Sequence, residues 1–266
     1  YREYYKQNGT YEGDLDEKSS VIYFNRNPDD NTFKKYFDSI KSSPNNTLLV
    51  RVTTNQFSKL SNQKVKTRAD AYAIQILDKQ IFSILEENEF YLDENILENY
   101  TDFYTFIPES GISIKISDSE DFTLIKFTPN SFNKVFNSYV LGAAASLFCK
   151  KREELFKNQS LLSGWNSNID EMQQTFSSLS FSENSLTTSL EVCKKIKSIA
   201  MSLVREKIES SEEIKQLIFN GIGIYEEPYT AFFLMQGNEI QKLIYIEYDI
   251  TTGSGRSKGL YSIVLK

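Results

Sequence analysis

In the first hundred positions, segments whose apolar residues recur at helical spacing are interspersed with segments whose pattern is typical of strands. Acidic residues followed by apolar ones at helical spacing indicate a first helix from Asp14, with Glu17 near its N-terminus. β-Branched and apolar stretches then indicate two strands, and an acidic, aromatic-rich insertion follows at 78–107. The predicted helices are 14–26, about 30–42 and about 79–88, and the predicted strands are 47–54 and 67–77.

The segment 111–117 alternates between isoleucine and polar or charged residues, as does a strand with one buried face. The isoleucines share one face, and Ser113 and Lys115 therefore point the same way on the other. The acidic residues at 118–121 indicate a turn. We accordingly predict a hairpin between this strand and 122–127.

The second half begins with Thr128-Pro-Asn-Ser, a helix-start signal, and small residues at 141–146 favour close packing of that helix on a sheet. From 157 to 183 the chain is rich in Ser, Asn and Gln around Trp165, which favours a loop or a subdomain boundary. The predicted helices are about 130–150, 184–210 and 211–219; apolar runs at 229–235 and 240–250 precede a last strand at 259–265.

Composition favours a globular protein with a full core. The chain has 266 residues, 40% of them hydrophobic, enough for one large domain or one domain with a subdomain. The most apolar run, 140–149, is half of the roughly twenty residues that a membrane span needs, so we expect a soluble protein with no membrane partner. The chain starts at Tyr1 rather than Met, which leaves its native N-terminus open.

Cysteine and histidine usage narrows the chemistry. Cys149 and Cys193 lie in apolar segments of helical pattern, which favours reduced buried thiols and a cytoplasmic location. The sequence contains no histidine, which excludes imidazole zinc sites and every Ser-His or Cys-His nucleophile pair. A metal ion here must have oxygen ligands, so Mg²⁺ is favoured, with Mn²⁺ as the alternative.

Basic residues are clustered within a chain of net charge −6. This balance argues against bulk coating of nucleic acid and permits a local basic cleft. A glycine-serine loop at 251–259 could grip phosphates or simply connect a hairpin, and Lys126 could be a solvated strand lysine or a phosphate contact. The candidate DNA-binding residues are Lys64, Lys66, Arg68, Lys126, Arg256 and Lys258, with Lys59 beside the first group.

Asp70 and Lys115 are the residues with the most informative chemistry. Metal-assisted phosphodiester hydrolysis needs a carboxylate that fixes the ion and a cation that orients water and stabilises developing charge. Asp70 supplies the carboxylate and Lys115 the cation, on two segments that both read as strands. Ser113 binds a divalent ion more weakly than a carboxylate does, so a second acidic ligand is expected from another element, with Glu17 as the leading candidate.

Three segments resemble the PD-(D/E)xK nuclease superfamily, and specifically its type II restriction endonucleases. They are Ser58–Asp70, Ser110–Lys115 and Phe122–Phe132, within a resemblance that spans roughly 12–150. Restriction enzymes with Ser at the acidic motif position are known, so Ser113 fits a variant of the motif. The chain departs from the pattern by Ala69 in place of proline and by the 43-residue spacing from Asp70 to Ser113.

The resemblance implies an α/β fold of mixed type, with a central mixed sheet flanked by helices. Asp70 matches the metal-binding Asp, Ser113 the variant acidic position and Lys115 the lysine. Asp70, Glu17 and the backbone carbonyl of Ile114 would hold the ion, while Lys115 would assist the attacking water. Other acidic residues remain alternatives to Glu17; they are Glu12, Asp14, Asp16 and Glu109.

We therefore expect a site-specific, Mg²⁺-dependent endodeoxyribonuclease that acts on double-stranded DNA in a restriction-modification system. Residues 1–156 would form the nuclease core, and 157–266 a helical and strand extension for DNA recognition or dimerisation. A palindromic target would favour a homodimer. Two alternatives stay open: a repair or mobile-element nuclease of low specificity, and a non-catalytic DNA-binding or interaction module on the same fold.

Overall fold

The structure, a computed structural model, describes residues 9–115, 122–252 and 263–265. The α-helices are α1 Gly9–Arg26, α2 Lys34–Ile40, α3 Ile81–Glu87, α4 Glu94–Leu97, α5 Pro129–Phe136, α6 Tyr139–Ser146, α7 Lys157–Gly164, α8 Ile169–Thr175, α9 Glu183–Thr188, α10 Leu190–Ser210 and α11 Glu212–Phe219. The strands are β1 Thr47–Arg51, β2 Gln56–Ser58, β3 Gln63–Val65, β4 Ala71–Ile76, β5 Tyr104–Phe106, β6 Ile112–Lys115, β7 Ile125–Phe127, β8 Phe233–Gln236, β9 Glu239–Lys242, β10 Ile250–Thr252 and β11 Ile263–Leu265.

The chain divides into two compact units. The first comprises residues 1–122 and 216–246, and the second comprises 123–215 and 247–266. By packing, the segment 216–246 thus belongs with the N-terminal part of the chain. The division at 156, which the composition of 157–183 and the extent of the resemblance favoured, stays a prediction.

The first unit contains a central mixed sheet in the order β1-β4-β6-β8-β9. β1, β4 and β6 are antiparallel neighbours, β8 runs parallel to β6, and β9 returns antiparallel to β8. β5 pairs with the C-terminal part of β4. β6 pairs with β4 at one position, Ala71 with Ile112, where both strands begin. This leaves a gap between β4 and β6 on the side where Asp70 precedes β4.

Helices cover both faces of this sheet. On one face, α1 and α2 contribute Val21, Phe24 and Tyr36 to a core that includes Ile112 and Ile114. On the other face, side chains of β1 and β4 form a second core with α3 and α4. The predicted fold class, a mixed α/β fold with a central mixed sheet flanked by helices, is confirmed, as is the inward face of the two isoleucines.

The predicted hairpin of 111–117 with 122–127 is wrong. β7 pairs with β11 in a separate antiparallel sheet, β10-β11-β7, in the second unit. The physical reason is that a strand has two edges for pairing, and those of β6 are taken by β4 and β8. The predicted turn at 118–121 lies outside the described residues.

The segment 157–183, predicted as a loop or a subdomain boundary, is not a continuous loop, because it contains α7 and α8. Its Ser, Asn and Gln residues mostly lie on exposed or partly exposed positions, while Leu161, Trp165 and Met172 are fully buried. The predicted helix at 130–150 is two helices, α5 and α6, since Asn137 adopts a left-handed conformation with φ of 51°. The predicted helix at 184–210 is likewise two helices, α9 and α10, because Ser189 between them adopts an extended conformation. The remaining predicted helices are confirmed with shifts of a few residues.

Both cysteines are free thiols. Cys193 is buried and its thiol donates a hydrogen bond to the Leu186 carbonyl oxygen at 3.0 Å, and Cys149 is half-buried. Burial raises the pKa of the Cys193 thiol to about 11. None of the helices in the described part of the chain is both long and apolar enough to cross a membrane.

Candidate active site

Asp70 lies where β4 and β6 separate. Its backbone is held on both sides: its N–H donates to the Ile112 carbonyl at 2.8 Å, and its carbonyl accepts from Val52 N–H at 2.9 Å. Its side-chain Oδ2 fills the gap beyond this pairing, where it accepts from Ser113 Oγ at 3.2 Å and from Ile114 N–H at 2.7 Å. The divergence of two strands therefore creates the space that the carboxylate occupies.

Lys115 completes this group. Its Nζ lies 3.8 Å from Asp70 Oδ2, and the two side chains are 26% and 18% exposed. The same Nζ lies 6.0 Å from the centre of the Phe122 ring. Two hydrogen-bond donors and the Lys115 ammonium thus converge on one oxygen of Asp70, and within the described residues no hydrogen bond reaches the second oxygen, Oδ1. The carboxylate is oriented by the fold and still has one oxygen for a ligand.

The Ile114 carbonyl faces the same gap. The N–H and C=O of one strand residue point to the same side, and the Ile114 N–H points at Asp70. Gly111 instead faces the opposite edge, where its carbonyl accepts from Phe232 and Phe233 of the β8 segment. The structure therefore brings together Asp70, Ser113, Lys115 and the Ile114 carbonyl, as expected from the sequence.

Glu17 lies on α1 and is held by Arg51 at the end of β1. Both Arg51 Nε and Nη2 donate to Glu17 Oε2, at 2.9 and 2.6 Å, so the other oxygen accepts no hydrogen bond from the described residues. Burial raises the pKa of the Glu17 carboxyl and the charge of Asp70 raises it further, whereas Arg51 and Lys66 oppose the rise. The influence of Asp70 places the two carboxylates within electrostatic range of each other.

Arg51 is the residue of this site that sequence reasoning missed. Although burial lowers its pKa, hydrogen bonds with Tyr91 and Glu17 raise it overall, so the guanidinium stays charged. It also pairs with Asp14, one of the alternatives to Glu17, at 2.9 Å. A charged residue that ends the otherwise apolar strand Thr47–Arg51 is a signal that could have pointed to it.

The candidate DNA-binding residues differ in their exposure and in their contacts. Lys64 and Lys66 are exposed, and Lys66 is near enough to lower the Glu17 pKa. Arg68 is partly buried, and its Nη2 donates to the Ile218 carbonyl at 2.8 Å near the end of α11, so its contact with DNA stays a prediction. Lys126 is an exposed residue of β7 in the second unit. Arg256 and Lys258 lie outside the described residues.

Ready-made metal clusters are absent from the described part of the chain, where no three Asp, Glu or Cys side chains lie together. A divalent ion at Asp70 would therefore need a main-chain or hydroxyl oxygen besides the carboxylates. That donor set is present, because the gap holds Asp70 Oδ1 and the side of β6 that carries the Ile114 carbonyl. Oxygen-only ligands fit Mg²⁺ or Mn²⁺.

Comparison with known proteins gives one structural likeness. No protein-family model matches the chain, and no curated protein matches it. The chain is similar to the solved structure of the restriction endonuclease MspI in complex with its cognate DNA, at 11% identity and a TM-score of 0.44. The match covers 98% of this chain and 92% of the MspI chain. A likeness at this TM-score is too weak to assign an activity.

Proposed function

We propose that this chain is a metal-dependent endodeoxyribonuclease that hydrolyses phosphodiester bonds of double-stranded DNA at specific sites, as in a restriction-modification system. One observation carries the proposal: Ser113, Ile114 and Lys115 converge on Asp70 at the point where two central strands separate. This is the set of positions that the resemblance to PD-(D/E)xK nucleases selects in the sequence, and the fold brings them into contact across a 43-residue spacing.

Mg²⁺ fits this site, and Mn²⁺ is the alternative. Asp70, Glu17 and the Ile114 carbonyl would hold the ion. When bound, such a metal ion stabilises the charge that develops on a phosphodiester and makes water more acidic. The Arg51 guanidinium keeps Glu17 oriented through Oε2, and two hydrogen-bond donors with the Lys115 ammonium keep Asp70 oriented through Oδ2. Neither carboxylate must therefore reorganise to present its second oxygen.

Lys115 is the catalytic cation in this proposal. Its ammonium group can donate hydrogen bonds to the attacking water or to a non-bridging phosphate oxygen, because it is only partly buried and contacts Asp70 at 3.8 Å. Ser113 supports the carboxylate by a hydrogen bond at 3.2 Å. The chain thus provides orientation and positive charge where the phosphodiester would bind.

Duplex DNA is the proposed partner. Lys64 and Lys66 provide local positive charge next to the site despite the net charge of −6, and phosphate contacts of this kind position a protein on DNA. A palindromic target would be read by two copies related by a two-fold axis. Sedimentation of the protein with its target DNA measures how many copies bind one duplex. A single copy per duplex would contradict the proposed homodimer. A restriction role also implies the cytoplasm.

Plasmid digestion followed by sequencing of fragment ends tests the function. A site-specific enzyme gives discrete fragments with one shared end sequence in Mg²⁺ and none in EDTA. Fragments with random ends would replace this proposal with a nuclease of low specificity. Intact plasmid in Mg²⁺ and in Mn²⁺ would contradict both.

A non-catalytic DNA-binding module is the second candidate. This candidate is favoured by Ser113, because a serine at this position leaves Asp70 as the one carboxylate of the gap among the residues that the structure describes. In that case Asp70 and Lys115 form a structural ion pair. The melting temperature and the affinity for duplex DNA would then be unchanged by Mg²⁺.

A further inference from the structure

The hairpin of β2 and β3 turns its apolar residue outward. Ser58 is 4% exposed, whereas its neighbour Phe57 is 58% exposed. In the strand register Phe57 lies directly opposite Lys64, so the two side chains stand side by side on the outer face. A hairpin packed only for stability would place the phenylalanine inward and the serine outward. The inverted pattern indicates a surface built to meet a partner.

The charge of this segment selects the class of partner. Residues 55–69 contain no Asp or Glu, although the whole chain has a net charge of −6. Lys59 is neutralised by Glu226 at 2.9 Å. Lys64 and Lys66 form no ion pair with any of the residues the structure describes. An exposed aromatic ring beside unneutralised lysines fits a polyanion with apolar surface between its charges, as in a groove of duplex DNA.

The hairpin is fixed to the first unit at both ends. The Lys59 N–H donates to the Ile224 carbonyl at 3.1 Å, and the Tyr225 hydroxyl donates to the Lys66 carbonyl at 3.0 Å. Lys59 follows β2 in the turn of the hairpin and Lys66 follows β3, and the two strands pair only with each other among the described elements. The outer face is therefore presented in a defined orientation, which recognition requires.

The distance to the active site suits a DNA contact close to the cleaved bond. Six residues separate Lys64 from Asp70, and an extended chain spans at most ~3.6 Å per residue. Lys64 thus lies within about 20 Å of Asp70, or about six base pairs of duplex.

We infer that the β2–β3 hairpin is a DNA-reading arm, in which Phe57 contacts bases or sugars in a groove next to the cleaved phosphodiester and Lys64 contacts a neighbouring phosphate. This inference rests on the proposed function. It assigns recognition to the first unit, beside the catalytic residues, and names an uncharged side chain that charge-based reasoning does not select.

The salt dependence of binding tests the arm. Affinity for a short fluorescein-labelled duplex is measured by anisotropy in Ca²⁺ at salt concentrations from about 50 to 200 mM. Phe57→Ala is expected to weaken binding about tenfold with an unchanged salt slope, because no charge is lost. Lys64→Gln is expected to lower the salt slope by about one. Phe156→Ala removes an equally exposed ring, 67% exposed, from the second unit and serves as the matched control.

The outcomes separate the arm from the proposed function. If the wild type binds the duplex and Phe57→Ala binds as tightly as Phe156→Ala, the inference is overturned while the nuclease proposal stands. An unchanged salt slope for Lys64→Gln would show that Lys64 does not contact a phosphate. If the wild type binds no duplex, the proposed function fails together with the arm. Equal melting temperatures of all variants establish that folding is not the cause.

Discussion

Asp70 combines a structural and a chemical role in one carboxylate. Its Oδ2 accepts from the Ile114 N–H and from Ser113, with Lys115 nearby, and these contacts fix the orientation of the carboxylate. The second oxygen is left for a ligand. At the scale of single residues, the proposed function therefore requires that protein groups contact Oδ2 of Asp70 and that Oδ1 binds the metal ion. Substitutions of the surrounding residues test this requirement.

Ser113→Asp restores an acidic residue at the variant motif position. Ser113 is buried beside Asp70, so a second carboxylate there is expected to destabilise the metal-free protein by ~1–3 kcal/mol through like-charge repulsion. A divalent ion would relieve this repulsion. Thermal unfolding in EDTA and in Mg²⁺ is therefore expected to show a larger Mg²⁺-induced rise in melting temperature than for the wild type.

Ser113→Asn is the matched control, because it has a similar size without the charge. It should be destabilised without the recovery in Mg²⁺. An equal response to Mg²⁺ in the wild type and both variants would mean that no divalent ion binds at this position.

Glu17→Gln tests the second carboxylate through pH. Burial, with a further contribution from Asp70, raises the pKa of Glu17 above its ordinary value of 4.5, so the folded protein holds this proton more tightly than the unfolded chain. The stability of the wild type relative to Glu17→Gln is therefore expected to be greatest at acid pH. It should decline as the pH rises from 4.5 through the raised pKa.

Chemical denaturation in metal-free buffer at several pH values measures this difference. A stability difference that does not change with pH would show that Glu17 has no raised pKa. The assignment of its position near Asp70 would then lose its electrostatic support.

At the scale of elements, the local pattern predicted faces better than pairings. The alternation in β6 correctly placed Ile112 and Ile114 in the core and Ser113 and Lys115 on the other side. The partner of β6 could not be predicted from its neighbourhood, because β8 enters the sheet from far along the chain. A turn signal indicates a reversal of the chain, and it does not specify which strand fills an edge.

The helices α7 and α8 show why composition misleads for short elements. A segment rich in Ser, Asn and Gln can still be helical when a few large apolar residues supply the buried face, here including Trp165. In α6, Gly142 lies against this ring: an added Cβ would be 2.1 Å from Trp165. The small residues of α6 thus accommodate a tryptophan, and α6 also contacts β10 and β11, in agreement with the predicted packing on a sheet.

Gly111→Ala tests how the sheet positions the site. A Cβ at Gly111 would lie 1.8 Å from the Thr230 carbonyl oxygen, so β6 must shift away from the β8 segment. The variant is expected to lose ~1–3 kcal/mol of unfolding free energy, and nuclease activity with it, because β6 carries Ser113 and Lys115.

Gly13→Ala in α1 is the control, since outside the local helix backbone none of the described atoms lies within 4 Å of the added Cβ. It should keep activity and gain up to ~1 kcal/mol from helix propensity. Equal melting temperatures for both variants, measured by calorimetry, would contradict the close approach of Gly111 to the β8 segment.

At the scale of the whole molecule, the sequence predicted the class of fold and the proximity of Asp70 and Lys115, whose catalytic roles stay predictions. It could not predict how the chain is divided. The first unit is discontinuous, because 216–246 returns to it and supplies β8 and β9. No compositional change marks such a return. Arg51 escaped prediction for a related reason, since its partner Glu17 lies 34 residues away.

The central claim is that Asp70 and Lys115 cleave DNA with a divalent ion. Supercoiled plasmid incubated with purified protein, in Mg²⁺ and in EDTA, tests it most directly. Wild type and Lys79→Met, an exposed control in the same unit, should cleave in Mg²⁺ alone. Lys115→Met and Asp70→Asn should cleave at least ~100-fold more slowly while melting cooperatively. Wild-type cleavage rates in either folded variant, or plasmid left intact by the wild type, would contradict the account.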